Sequence, residues 1–413
     1  MPAAAGTKRA TRAGERTLDV LRLLFGDEFA REFSVELWDG TRVPARDVTR
    51  FTLRIVEPYG LRAALTPPLD LNPGWAYVDR WIDFTGDLQA AIGAFERAVQ
   101  SLPRAMLPLL AARLLLLPRP PKRDGTAVGF HFDQPLAFYR AFLDEHLVYS
   151  CAYFETGSET LAEAQLAKID YILRKVRLQP GERILDIGCG WGALVMRAAE
   201  RFGAQAYGIT LSKPQYEEAA RAIRERGIAH RAHVEYLDYR ELGKRTFDKI
   251  VSVGMAEHVG RANLPQYFAA AYRALRPGGL FLNQAIADQS PGRKGGRHDG
   301  FVERFVFPDG ELVPVSDALG IAERAGFEVR DVESLREQYA RTLRCWVANF
   351  ERNAAGAVAA SGERAYRVWH LYVAGSAHGF SAGHMGLFQS LLARPHADGS
   401  LALPATRRDL YLN

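Results

Sequence analysis

The sequence predicts an α/β fold: a doubly wound, mostly parallel, Rossmann-like sheet preceded by a smaller α+β domain. Three observations carry this prediction. From about residue 165 onward, short apolar runs alternate with amphipathic helical runs, the pattern of right-handed βαβ units. A glycine-rich turn, LDIGCGWG at residues 185–192, follows the first of those apolar runs and opens a helix. Ahead of this region a proline-rich basic stretch, PRPPKRDGTAVG at residues 118–129, separates it from a different pattern. The expected organisation is therefore a small domain over residues 1–117, a linker over 118–129 and a catalytic domain over 130–413.

In the first region FSVELWDG, FTLRIVEP and LRAALTP (33–40, 51–58 and 61–67) read as strands separated by turns. GDLQAAIGAFERAVQSL (86–102) reads as a helix. AMLPLLAARLLLL (105–117) is too short to span a bilayer and carries Arg113. It suits either a buried helix or a helix lying at a lipid surface, with RPPKR (119–123) adding charge. In the second region the helix LAEAQLAKIDYILRKVRL leads to the strand ERILDIGCG. Helices at ALVMRAAERFG, YEEAARAIRERG and YFAAAYRALRPGG then alternate with strands at QAYGITLS, HVEYLDY, FDKIVSVGM and LFLNQAIA.

Composition narrows the function. Three cysteines, Cys151, Cys189 and Cys345, have no metal-ligand spacing, so neither a zinc site nor a disulfide framework is expected. With so few cysteines a reducing cytoplasm is the expected setting, and the basic N-terminus, lacking an apolar core, does not read as a signal peptide. A net charge of +5 is compatible with an anionic surface without selecting one.

Gly188, Gly190 and Gly192 let the chain turn tightly and approach a ligand at a strand end. Their spacing after Asp186, with Asp238 at a later strand end, favours S-adenosylmethionine over a dinucleotide. The expected domain is thus a Rossmann-like S-adenosylmethionine-dependent methyltransferase.

Several segments together resemble the cyclopropane fatty acid synthases and the mycolic acid methyltransferases. They are FHFDQPLAFYRAFLDEHLVYSCAYF, LDIGCGWGAL, YGITLSKPQ, VSVGMAEHVG, ALRPGGLFL, FVFPDGELVP and YVAGSAHGF, in family order. The resemblance implies cofactor contacts from Tyr149, Ser150, Gly188, Gly190, Thr210, Leu211, Gln215 and Asp238, with Asp186 and Gly192 completing the turn. It implies a bicarbonate ion as base, held by Cys151, Glu257, the backbone of Ile286 and Tyr339. Gln284 stands where the family carries a histidine ligand, and Phe301 where a tryptophan is frequent. His131 and Asp133 are candidates for ordering a loop over the cofactor.

The implied reaction is methyl transfer to the double bond of an unsaturated phospholipid acyl chain, closing to a cyclopropane. The implied setting is the inner membrane face, peripherally bound through anionic lipids, with homodimerisation left open and nucleic acid excluded. Alternatives are a methylene- or methyl-branched product, a small-amine N-methyltransferase using Glu257 and His258, and a non-catalytic lipid-binding protein.

Overall fold

The computed structural model describes residues 10–26, 32–46, 48–121, 134–289, 300–308 and 310–411. Most of the 118–129 linker, together with His131 and Asp133, lies outside the described residues. By its internal contacts the chain forms two units. One comprises the described residues of Met1–Phe138, His298–Pro308 and Phe350–His378, the other those of Tyr139–Arg297, Asp309–Asn349 and Gly379–Asn413.

The first unit holds a four-stranded sheet of β1 (Phe33–Leu37), β2 (Arg42–Val43), β3 (Phe51–Ile55) and β4 (Ile82–Gly86), ordered β2-β1-β3-β4. β1 and β3 pair in parallel, and the other two pairs are antiparallel. Alternating burial along β1 and β3 gives the sheet one apolar face, on which Phe33 stacks on Phe51 at 4.7 Å.

The strand expected at LRAALTP is instead a helix, Gly60–Leu65. Leu61, Ala64 and Leu65 fall at i, i+3 and i+4, and alanine is the best helix former. This short run follows the helical period, and the Thr66–Pro67 pair stops it. Residues 350–378 complete this unit through Arg367, whose side chain is buried. Its guanidinium lies over the Tyr77 ring and bonds to the Tyr77 carbonyl and to Asp83, each at 2.9 Å.

The second unit is built on a seven-stranded sheet. Its strands are β5 (Arg183–Ile187), β6 (Gln205–Thr210), β7 (Ala232–Tyr236), β8 (Phe247–Val253), β9 (Leu275–Asp288), β10 (Glu328–Ser334) and β11 (Met385–Ala393). The order is β10-β11-β9-β8-β5-β6-β7, parallel from β9 through β7, with β11 antiparallel to both β9 and β10. The mostly parallel doubly wound sheet is as expected, and β10 and β11 are additions to the strands read from sequence. β5 is buried along nearly its whole length, as a strand covered on both faces must be. Helix Leu161–Lys175 begins with a reciprocal capping box between Thr160 and Glu163.

Candidate active site

The glycine turn leaves the carboxyl end of β5. The amides of Gly188 and Cys189 both donate to the Ile209 carbonyl at the end of β6, at 2.9 and 3.0 Å. Gly190 adopts φ +54°, and a Cβ there would meet nothing within 4 Å. The turn therefore keeps an open space beside a backbone conformation that suits glycine. Asp186, one residue from the end of β5, is buried, and its Oδ1 has no hydrogen-bond partner. Burial lifts its pKa to about 7, opposed by the nearby Lys168 ammonium. An orphaned carboxylate oxygen beside an open glycine cradle suits a polar ligand with donor groups, and S-adenosylmethionine fits it.

The other cofactor candidates gather along the same sheet edge. The Thr210 hydroxyl donates to Gln215 Oε1 at 2.9 Å, and the Leu211 side chain is exposed. Asp238 caps a short turn after β7, where the Arg240 guanidinium holds its pKa below the usual carboxylate range. Ser150 accepts from Lys168 Nζ at 2.8 Å, a buried ammonium whose pKa desolvation lowers to about 8. Sequence reasoning missed Lys168, because within the periodic run of its helix it looks like any solvated lysine.

The candidates for the reaction centre lie farther along the same edge. Glu257, on the short helix Ala256–Val259 after β8, is buried, whereas His258 beside it is exposed. Glu257 Oε1 accepts the Ile286 backbone amide at 2.7 Å, while its Oε2 is buried with no partner. Burial lifts this carboxyl to about 7 against the pull of the Ile286 amide.

Cys151 is fully buried, with its thiol 3.1 Å from the Ala152 carbonyl and 4.0 Å from that of Leu335. Burial pushes the thiol up to about 12, so it stays protonated and serves as a donor. Leu335 links several of these residues within the second unit. Its amide donates to Leu387, which sits opposite Ile286 in the sheet, and its carbonyl accepts the Tyr339 amide one helical turn on. Cys151, Ile286 and Tyr339 thus share one backbone junction, and Glu257 joins it through Ile286.

Rings wall this region. Tyr149 lies 5.3 Å from Trp346 and 5.9 Å from Tyr139, and Tyr139 lies 4.9 Å from Trp191. Tyr339 lies 4.6 Å from Phe380. Trp191 and Trp346 were not singled out from sequence, where an isolated tryptophan reads as core. Gln284, 1% exposed, does not face open space with both ends of its amide. Its oxygen accepts from Gln389 Nε2 at 2.9 Å.

The signature of the family Mycolic acid cyclopropane synthetase matches residues 120–390. The chain belongs to this family. Among its relatives, a "Probable fatty acid methyltransferase" of Pseudomonas putida is 40% identical over 387 residues, covering 91% of this chain and 95% of that one. Among solved structures, the cyclopropane synthase MmaA2 from Mycobacterium tuberculosis is 34% identical, with a TM-score of 0.61 over 64% of this chain and 96% of that one. Mycolic acid cyclopropane synthase CmaA1, complexed with SAH and CTAB, is 33% identical, with a TM-score of 0.58 over 62% of this chain and 93% of that one. This member of the cyclopropane synthetase family is a lipid methyltransferase that uses S-adenosylmethionine.

Proposed function

We propose that this enzyme transfers the methyl group of S-adenosylmethionine to the double bond of an unsaturated phospholipid acyl chain and closes a cyclopropane, with bicarbonate as base. The observation that carries this reading is the Glu257 carboxyl: buried, tied to Ile286 by one oxygen, and left with the other unpartnered. With a pKa near 7, that oxygen can carry a proton and donate it in a hydrogen bond to an anion. The Tyr339 hydroxyl would supply a further donor, and the single Cys151 S–H would do so on turning from the Ala152 carbonyl.

S-adenosylmethionine, held at the glycine turn, would supply an electrophilic methyl that the alkene π pair takes up as the carbon–sulfur bond breaks, leaving neutral S-adenosylhomocysteine. The acyl chain is left with a carbocation. Tyr149, Tyr339 and Trp346 offer ring faces that stabilise a cation and shut out water. Bicarbonate, when bound, supplies the base that removes a proton from the new methyl group, and the freed electron pair closes the ring.

A second reading has its own support. Gln284 replaces the histidine expected from the family, and the Pseudomonas putida relative is named as a fatty acid methyltransferase. Loss of a proton from a neighbouring carbon would then give a branched chain.

For the lipid surface, the support is helix Leu107–Leu115, which leaves Leu107, Leu109 and Leu115 at 50%, 41% and 68% exposed, beside exposed Arg104 and Arg119. Exposed leucines beside arginines suit an anionic membrane. No helix among the described residues is long and apolar enough to cross one.

The test is incubation with methyl-labelled S-adenosylmethionine and vesicles of unsaturated phospholipid, followed by ozonolysis and mass spectrometry of the acyl chains. A labelled chain resistant to ozone supports the ring, and an ozone-cleaved labelled chain supports the branched product. Acyl chains left without label would sink both readings.

A further inference from the structure

Glu333, Gln389 and Gln284 stand in one row across three strands, Glu333 opposite Gln389 in β10 and β11, and Gln389 opposite Gln284 in β11 and β9. Lys175, the last residue of helix Leu161–Lys175, reaches this row with a side chain only 1% exposed. Its ammonium donates to Glu333 and, at 2.8 Å, to Gln389 Oε1. Glu333 also accepts the Tyr171 hydroxyl at 2.8 Å. Gln389 Nε2 in turn donates to Gln284 Oε1 at 2.9 Å.

The chemistry of the groups gives this chain a direction. An ammonium has three donors and no acceptor, so only the oxygen end of Gln389 can face Lys175. That places the Gln389 Nε2 toward Gln284, and only the oxygen of Gln284 can accept from it. The reverse orientation would set donor against donor in a buried place, leaving both unsatisfied. What Gln284 still has to offer is its NH2 group. Gln284 lies two residues before Ile286 on β9, and Ile286 is the residue whose amide holds Glu257.

We propose that Lys175 and Gln389 are positioning residues that commit Gln284 to act as a hydrogen-bond donor toward the anion at the reaction centre. The inference rests on the reading of that anion as bicarbonate. A glutamine left to itself turns either end toward a ligand. Here a buried charge two side chains away makes the choice, and an uncharged amide does part of the work of a histidine.

The test measures binding, with no lipid present. Carbon-13 bicarbonate is titrated into the full chain saturated with S-adenosylhomocysteine, and its dissociation constant is read from NMR line broadening. The variants are Gln389→Glu, Gln389→Met and Gln389→Glu combined with Gln284→His. In Gln389→Glu the new carboxylate still accepts from Lys175 but cannot donate, so Gln284 turns its NH2 toward it and its oxygen toward the anion. Bicarbonate affinity should fall by on the order of tenfold or more, the size of one charge-assisted hydrogen bond reversed. Gln389→Met, which removes the instruction without reversing it, should lose less.

Adding Gln284→His to Gln389→Glu should restore most of the affinity, because an imidazolium donates from both nitrogens. Affinity for S-adenosylhomocysteine should stay close to the parent throughout, while Gln389→Met should melt lower because it strips buried bonds from Lys175 and Gln284; if Gln389→Glu fails to fold, Gln389→Met alone decides. Parent-like bicarbonate affinity in the Gln389 variants would overturn the positioning role while leaving the bicarbonate reading intact. A parent that binds no bicarbonate would overturn that reading and the positioning role with it.

Discussion

Glu257 is a carboxyl held where its charge is disfavoured, and that has a measurable sign. Below its ordinary pKa of 4.5 it is protonated both folded and unfolded. As pH rises from there to about 7, the unfolded chain gives up its proton first, so the folded state loses stability across that window and no more above it. Glu257→Gln removes the ionisation. The ligand-free variant should therefore gain on the parent as pH rises from about 5 to about 8, by up to about 3 kcal/mol, read as a widening gap in melting temperature.

The same substitution, and Tyr339→Phe, should lower turnover greatly while affinity for S-adenosylmethionine stays within a few-fold. Parent-like turnover in both would remove these two residues from the reaction centre. Gly190→Val should abolish cofactor binding in calorimetry, since it fills the cradle and places a branched residue at φ +54°. Unchanged affinity there would move the cofactor elsewhere. At this scale the sequence singled out residues whose motif is contiguous, such as the turn around Gly190 and the EH pair at Glu257. It did not show Lys168, Lys175 or Gln389, because their significance lies in partners brought near only by folding: Lys175 and Gln389 are 214 positions apart.

Elements were legible where the hydrophobic period was long. Helix Leu161–Lys175 carries cap, period and basic last turn together, and it appears where it was read, ending at Lys175 rather than running on to Leu178. The short run at Leu61–Leu65 offered too few residues to separate a period of two from one of 3.6, and tertiary burial decided for helix. β10 and β11 were passed over because they follow the alternating βα series and join the sheet antiparallel, a pairing that sequence periodicity does not announce. The capping box of helix Leu161–Lys175 matters beyond its own ends, since that helix delivers both Lys168 and Lys175. Thr160→Ala should lower stability by about 1 kcal/mol in urea unfolding. Its effect on S-adenosylmethionine affinity should be small, because the lysines are held by burial along the helix body; a large affinity loss would place the cap itself in the site.

For the molecule as a whole, the proposed lipid contact has two parts that separate experimentally. The net charge of +5 should make binding to anionic vesicles weaken with salt, as charges are screened beyond about 8 Å at physiological ionic strength. The exposed leucines should leave a salt-resistant remainder, and Leu109→Glu with Leu115→Glu should remove it. Sedimentation with vesicles distinguishes the two, and equal binding to neutral and anionic vesicles at every salt concentration would discard the electrostatic part.

The first unit has a further consequence, for the order in which the protein is made. Tyr77 and Asp83 wait for Arg367, Tyr77 also for His370, Asp79 for Arg364 and Glu96 for His378. When the ribosome has released the first 138 residues, none of these partners has yet been synthesised. Every strand of the large sheet except β11 emerges in the interval. The first part of the chain to leave the ribosome is thus among the last to be completed, and a nascent chain arrested before residue 350 should expose it to protease while the glycine turn is already in place.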